Sequence, residues 1–252
     1  IQSYAFAWCN NLTSVKFGKG IANFSHFMRT SLFSMCKKLH SIEIPSCVDT
    51  ICEDMFSVCP LDKIILHEGI KEIKNCAFNN CNINDITLPD SLKWIGNGNF
   101  SNASIVRVKD RIPYGLIADL TKRWNDNYDS EHPLLDELLF SLVITENGGE
   151  KTLYIPRYLL PGCVTKLDEL LSNCSWRFKP ESYYNTLYQY SYEGFLQQET
   201  AMAMYAIHGD EETRKFLKEK SRKIINRLVK NEDEEKLIAF LKFGLLSERV
   251  LD

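Results

Sequence analysis

No stretch of this sequence approaches 18 unbroken apolar residues, so it holds no candidate membrane-spanning helix. No sign of charge dominates either. The formal net charge of -3 removes the general electrostatic reason to bind nucleic acid or an anionic membrane. The glycine-rich phosphate loops, the GxSxG nucleophile elbow and the HExxH zinc motif are all missing. Cysteine is present, but CxxC pairs are not: Cys47 and Cys52, and Cys76 and Cys81, stand too far apart, with no histidine beside them, which argues against zinc. Nine cysteines is an odd number and excludes complete internal pairing. Mostly free thiols point to a reducing, cytoplasmic compartment, with a secreted or cell-surface location as the alternative. The chain opens at Ile1 without Met or a signal peptide, which reads as a trimmed piece whose missing leader says nothing about location.

What is present is enough apolar residue to build a core: 44% of 252 residues are hydrophobic and 25% charged, ordinary for a soluble protein of one or two domains. The apolar residues of the first half recur. Phe6, Phe33, Phe56, Phe78 and Phe100 stand 27, 23, 22 and 22 residues apart. Cys9, Cys36, Cys59 and Cys81 follow three residues after their Phe, and Ala103 takes that place in the last copy. Each unit then carries a short apolar pair: Val15/Phe17, Ile42/Ile44, Ile64/Leu66, Ile86/Leu88 and Val106/Val108. A period in this range means a solenoid, in which no single unit can bury its own face and stacking makes the core.

Each repeated position has a physical role. The Ile-x-Leu pair predicts a short strand with both apolar side chains inward, stacked in parallel on its neighbours. The Phe predicts a column of rings. The cysteines predict a buried ladder of small apolar fillers. Ile51, Ile73 and Ile95, with Leu12, Leu39, Leu61 and Ile83, complete the predicted core. Pro45 and Pro89 end strands, because proline cannot donate to a continuing ladder. Asn79-Asn80 and Asn97-Gly98-Asn99 suit tight turns. About four extra residues between Ile21 and Thr30 predict a bulge in the second unit. The lost cysteine and polar drift through Lys109-Asp110-Arg111 predict that the fifth unit is a cap.

These residues resemble the BspA-type, or treponemal, class of leucine-rich repeat. The match is carried by Tyr4-Ala5-Phe6 with Cys9, Leu12 and Val15, by Cys76-Ala77-Phe78 with Cys81, Ile83 and Ile86-Thr87-Leu88-Pro89, and by Leu92 with Ile95. The resemblance covers roughly residues 1 to 112 and implies a curved solenoid with a parallel sheet on one side. It also implies a protein- or surface-binding role, often in host-associated bacteria.

The fold expected is therefore α+β: a short solenoid with a parallel sheet of about five strands (1–112), a linker helix and β-hairpin (113–163), and a helical domain (164–252). Ile112 to Trp124 has helical spacing. Leu142–Thr145 and Lys151–Ile155 flank an Asn-Gly that suits a hairpin turn. From Val164 onward the pattern is helical. One helix is expected to open at Pro180 and run through Tyr184, Leu187, Tyr188 and Phe195; a second spans Glu199–His208. A third, capped at Asp210, reaches Lys230 with Phe216, Leu217, Ile224, Ile225, Leu228 and Val229 inward. A fourth starts after Asn231 and ends at Gly244, and a last one begins at Ser247. Residues 210–252 bear a looser likeness to ankyrin-like helix–turn–helix units, without the TPLH signature.

Candidate chemistry is sparse. Tyr183, Tyr184, Tyr188, Tyr190 and Tyr192 with Trp176 and Phe178 could stack on a ligand or fill a helix junction, and the packed reading is preferred. His208 with Asp210 and Glu199 could imitate an acid–base group, but a lone helix-end histidine is usually structural. The basic helix face around Lys215–Arg227 is interspersed with acids and reads as solvated. No catalytic residue, metal or cofactor is expected. The outward strand positions Lys16, Glu43, Lys63, Ile65, Asp85, Thr87 and Arg107 are the candidate partner-binding residues. The function expected is a non-enzymatic protein–protein interaction scaffold, with a surface or adhesion protein as the alternative. An enzyme or small-ligand protein with a site between the halves ranks third.

Overall fold

The computed structural model describes residues 2–18, 31–122, 138–146, 148–174, 177, 179–192 and 194–246. The chain forms two compact units: residues 1–122, 140–153 and 161–178 make the first, and residues 123–139, 154–160 and 179–252 the second.

In the first unit the Ile-x-Leu pairs of four repeats form strands β1 (Ser41–Ile44), β3 (Lys63–Leu66), β5 (Asp85–Thr87) and β7 (Ile105–Val108). Their register is that of the repeat: Ile42 lies beside Ile64, and Ile86 beside Val106. β1 pairs with β3, and β5 with β7, which continues into β8 (Leu139–Glu146) and β9 (Gly149–Pro156). The hairpin predicted from sequence is thus formed and extends the solenoid sheet, with Asn147 of its turn outside the described residues. Val15 and Phe17, expected as a strand, are not in one. The bulge expected at Ile21–Thr30 lies outside the described residues.

The upstream isoleucines do more than fill the core. Ile51, Ile73 and Ile95 each end a two-residue strand, β2 (Thr50–Ile51), β4 (Glu72–Ile73) and β6 (Trp94–Ile95), and these stack as a second parallel sheet. Phe6, Phe33, Phe56, Phe78 and Phe100 form a stacked column with centroids 5.3 to 5.5 Å apart. Phe56, Phe78 and Phe100 are fully buried.

Around the first four Phe residues the chain makes successive tight turns, and two residues per coil are left-handed: Tyr4 and Trp8, Ser31 and Met35, Asp54 and Val58, Cys76 and Asn80. Such a backbone costs a residue with a Cβ on the order of 1 kcal/mol. A further ladder between coils over-determines it. Phe6 N–H donates to Leu32 O, Phe33 N–H to Met55 O, and Phe56 N–H to Ala77 O, at 2.8 to 3.0 Å. The cysteines are not mere fillers. The thiols of Cys36, Cys59 and Cys81 donate to the carbonyls of Phe6, Phe33 and Phe56, the Phe of the preceding coil, at 3.1 to 3.4 Å. Burial pushes the Cys59 thiol up to about 11 and that of Cys81 to about 12, so both stay protonated donors.

The last coil is sealed by a carboxylate. Its Asn99 and Phe100 N–H groups donate at 2.7 and 2.8 Å to buried Asp119 on the short helix α1 (Leu116–Leu120). Asn99 in turn gives its side-chain oxygen to Phe78 N–H. The start of α1 is held the same way by Asp168 of α2 (Pro161–Ser172), which accepts from Gly115 and Ile117 N–H at 2.7 and 3.0 Å. Gly115 is required here: at φ 88° a Cβ would lie 2.1 Å from Ile95 O. The helix expected over Ile112–Trp124 is only these five residues, and Trp124 lies outside the described residues.

The second unit is helical. The long helix expected from Pro180 to Phe195 is broken into α3 (Glu181–Asn185), a 3-10 turn (Leu187–Tyr190) and α4 (Phe195–His208). The break occurs where Tyr192 N–H and Tyr190 O instead pair with the backbone of residues 158–160. Gly209, left-handed, ends α4, and Asp210 caps α5 (Glu211–Lys230) by accepting from Thr213 N–H. Asp233 caps α6 (Glu234–Lys242) in the same manner. Leu217, Ile224 and Leu228 face inward as expected, whereas Val229 is 58% exposed. It sits one position past Leu228, about 100° around the helix from the buried row. The helix expected from Ser247 lies outside the described residues, so α5 and α6 are the described part of the stretch with the ankyrin-like likeness.

Candidate interaction face

β1, β3, β5 and β7 alternate by strand geometry: β1 and β7 bury two side chains each, β5 buries Ile86, β3 leaves Ile64 and Leu66 half-buried, and the positions between turn outward. Two outward lanes result. In one, Ser41 lies beside Lys63, Asp85 beside Ile105, and Ile105 beside Ser141. In the other, Glu43 lies beside Ile65, Thr87 beside Arg107, and Arg107 beside Val143, which is buried. Six of the seven residues singled out from sequence therefore lie in the lanes. Lys16, the seventh, is exposed but is not in a strand.

Much of the charge on this face is paired within it. Arg107 reaches Asp85 with two guanidinium nitrogens at 3.2 and 3.0 Å. That hydrogen bond raises the guanidinium pKa further. His67 Nε2 lies 2.7 Å from Glu43 Oε1. Exposed pairs of this kind contribute about 0–1 kcal/mol each and chiefly cancel local charge. What is left is an exposed Lys63, with no ion-pair partner among the described residues, and Ile65, a 40% exposed isoleucine in a strand.

Of the tyrosine cluster, Tyr184 and Tyr188 are buried, and Tyr188 packs on Phe216 at 4.9 Å, as the packed reading expects, whereas Tyr183, Tyr190 and Tyr192 are half-buried. Trp176 and Phe178 lie outside the described residues. His208 stands edge-on to Tyr154 at 5.4 Å. It follows Glu199 by nine residues, about 13 Å along α4 and on the opposite side of the helix. Glu199 itself has other work. Fully buried, it accepts from Arg227 at 2.6 Å and from Lys236 at 2.9 Å, joining α4, α5 and α6. Lys236 also reaches Asp233 at 3.4 Å. Sequence reading missed this clamp because its three members are spread over 37 positions and each reads as a surface charge. Among the described residues no cluster of three or more His, Cys, Asp or Glu is placed to hold a metal ion.

Residues 1–107 match the family model described as BspA type Leucine rich repeat region (6 copies). This stretch is a repeat region of that class, as the Phe and Cys spacing indicated, and the class suggests a protein-interaction or adhesion scaffold. No curated protein and no solved structure matches the chain. Among the described residues no helix is long and apolar enough to cross a membrane.

Proposed function

We propose that this chain is a non-enzymatic interaction scaffold, with the outward lanes of its repeat sheet as the recognition surface for a protein partner. The observation that carries this reading is Ile65, an isoleucine held open to solvent by rigid backbone, with exposed Lys63 two residues away on the same side of β3. The neighbouring Asp85–Arg107 ion pair and the Glu43–His67 hydrogen bond supply a polar rim. Thr87 and Lys16 lie at its margins. Such a surface fits a partner that offers an apolar side chain with a carboxylate nearby.

The reading is tested by affinity capture from the native cell with the intact chain and with Ile65→Asp and Lys63→Glu, each checked by its melting curve. Both positions are exposed, so folding should hold within about 0.5 kcal/mol. Partners specific to the intact chain should be lost, by about tenfold or more, from both variants. A partner set that both variants retain in full would place recognition elsewhere. Capture of a cell-surface glycan or host protein by this same face would favour the adhesion alternative.

A further inference from the structure

Helix α5 holds eight lysines and arginines against three acids, a net +5 in a chain whose total is -3. The structure shows where those acids are engaged. Glu211 pairs with Arg214 at 3.4 Å, Glu212 with Lys215 at 3.2 Å and Glu219 with Lys220 at 2.7 Å. Arg227 is held by Glu199. Lys218, Arg222, Lys223 and Lys230 remain, all exposed and without an ion-pair partner among the described residues.

Helix periodicity gathers these cations into a band. The buried row of α5 is Thr213, Leu217, Ser221, Ile224 and Leu228. At about 100° per residue, Lys215, Lys218, Arg222 and Val229 fall within about 60° of one another, and Lys223 and Lys230 widen the band to about 140°, centred opposite that row. Val229, 58% exposed, gives the band an apolar end. Lys218 and Arg222 stand at i and i+4, where like charges repel, and no acid of α5 is left to offset them. Acids bound the band at both ends, Asp210, Glu211 and Glu212 before it and Glu232, Asp233, Glu234 and Glu235 after it. From Lys218 to Lys230 it is about 18 Å long. A nucleic-acid duplex or a bilayer would run past both ends and meet those acids.

We propose that the outer face of α5 is a docking surface for a short acidic helix of a partner protein. Its carboxylates, at three- and four-residue spacing, lie along Lys218, Arg222 and Lys223, and its apolar end covers Val229. A second copy of α5 does not serve, since it would bring the same cations face to face.

The probe is a fluorescein-labelled synthetic helix of about 12 residues, with glutamates at that spacing and leucine at one end, read by anisotropy against the full chain. Binding should weaken at least about tenfold in the double variant Lys218→Gln with Arg222→Gln, and again between about 50 and 200 mM salt. The double variant should melt at or above the temperature of the unmodified chain, because a like-charge pair is gone. Glu212→Gln releases Lys215 into the band and should tighten binding about twofold or more. Lys63→Glu, on the repeat sheet, should leave it unchanged. Absence of saturable binding, or equal binding by the double variant, overturns the proposal. Lost binding with a lowered melting temperature also overturns it, by assigning the two cations to folding. So does tighter binding of duplex DNA or phosphatidylserine vesicles than of the peptide, which would give the band to a polyanion or a membrane.

Discussion

Val58 is a β-branched residue at φ 60°, a region such side chains rarely enter. Asn80 occupies the equivalent position one coil later at φ 55°, where asparagine is far more at ease. Val58 is 39% exposed, and its N–H is held by Asn79 O at 2.7 Å, which a substitution would leave in place. Val58→Asn should therefore stabilise the chain by about 0.5–1 kcal/mol, visible as a raised denaturation midpoint at unchanged m-value. A lowered midpoint would show that Val58 contributes more through packing than it loses through its backbone. The same scale explains the recurring cysteine. A serine would be smaller and wetter and an alanine would donate nothing, whereas a thiol packs as an apolar group and still satisfies a buried carbonyl.

The cap on the solenoid belongs to the scale of elements. Burial lifts the Asp119 carboxyl to about 7, against the pull of the N–H groups of Asn99 and Phe100. Its folded pKa lies above the unfolded value, so the native state holds a proton that the unfolded chain releases first. This contribution is complete below about pH 4 and is lost as pH rises to about 7, on the order of 4 kcal/mol for a shift of roughly three units. Asp119→Asn should flatten the fall in melting temperature between pH 4 and pH 7 relative to the unmodified chain. Parallel slopes for the two proteins would remove Asp119 from the pH response. Asp119→Ala leaves two buried N–H groups unpaired and should cost about 2–4 kcal/mol below about pH 4, a difference that narrows as pH rises toward about 7. None of this was legible in the sequence, where Asp119 is one acid among many; only the fold brings it to the end of the stack. By contrast, the helix limits at Gly209–Asp210 and Asn231–Asp233 were legible, because capping is decided by residues within one turn of each other.

At the scale of the molecule, the first unit is a stack in which inner coils have two neighbours and the first has one among the described residues. Protection should follow that order. Native-state hydrogen exchange at Phe6 and Trp8 N–H should be faster than at Phe56 and Val58 N–H by about tenfold or more, since these amides differ in neighbours rather than in bond length. Equal protection in the two coils would mean that the stack opens as one body. In the second unit the Glu199–Arg227–Lys236 clamp ties three helices through a carboxylate with both oxygens engaged. Removing one member of such a buried group typically costs about 3–5 kcal/mol, so it is a fixture of packing and not a reactive site.

The sequence by itself determined the repeat class, the Phe column, four of the five strands, the end of α4 and the caps of α5 and α6. Each of these follows from periodicity or from residues a few positions apart. Six of the seven candidate face residues were placed by the same alternation, since a strand's period of two leaves its outward positions no choice. Only the tertiary structure decided the second sheet at Ile51, Ile73 and Ile95, where two residues per strand are too few to show a period. It alone broke the helix after Asn185, because the backbone there found partners near residue 158. It alone turned cysteines into donors, Asp119 into a lid and Glu199 into a clamp, because hydrogen-bond partners 20 to 37 residues away leave no mark on local pattern.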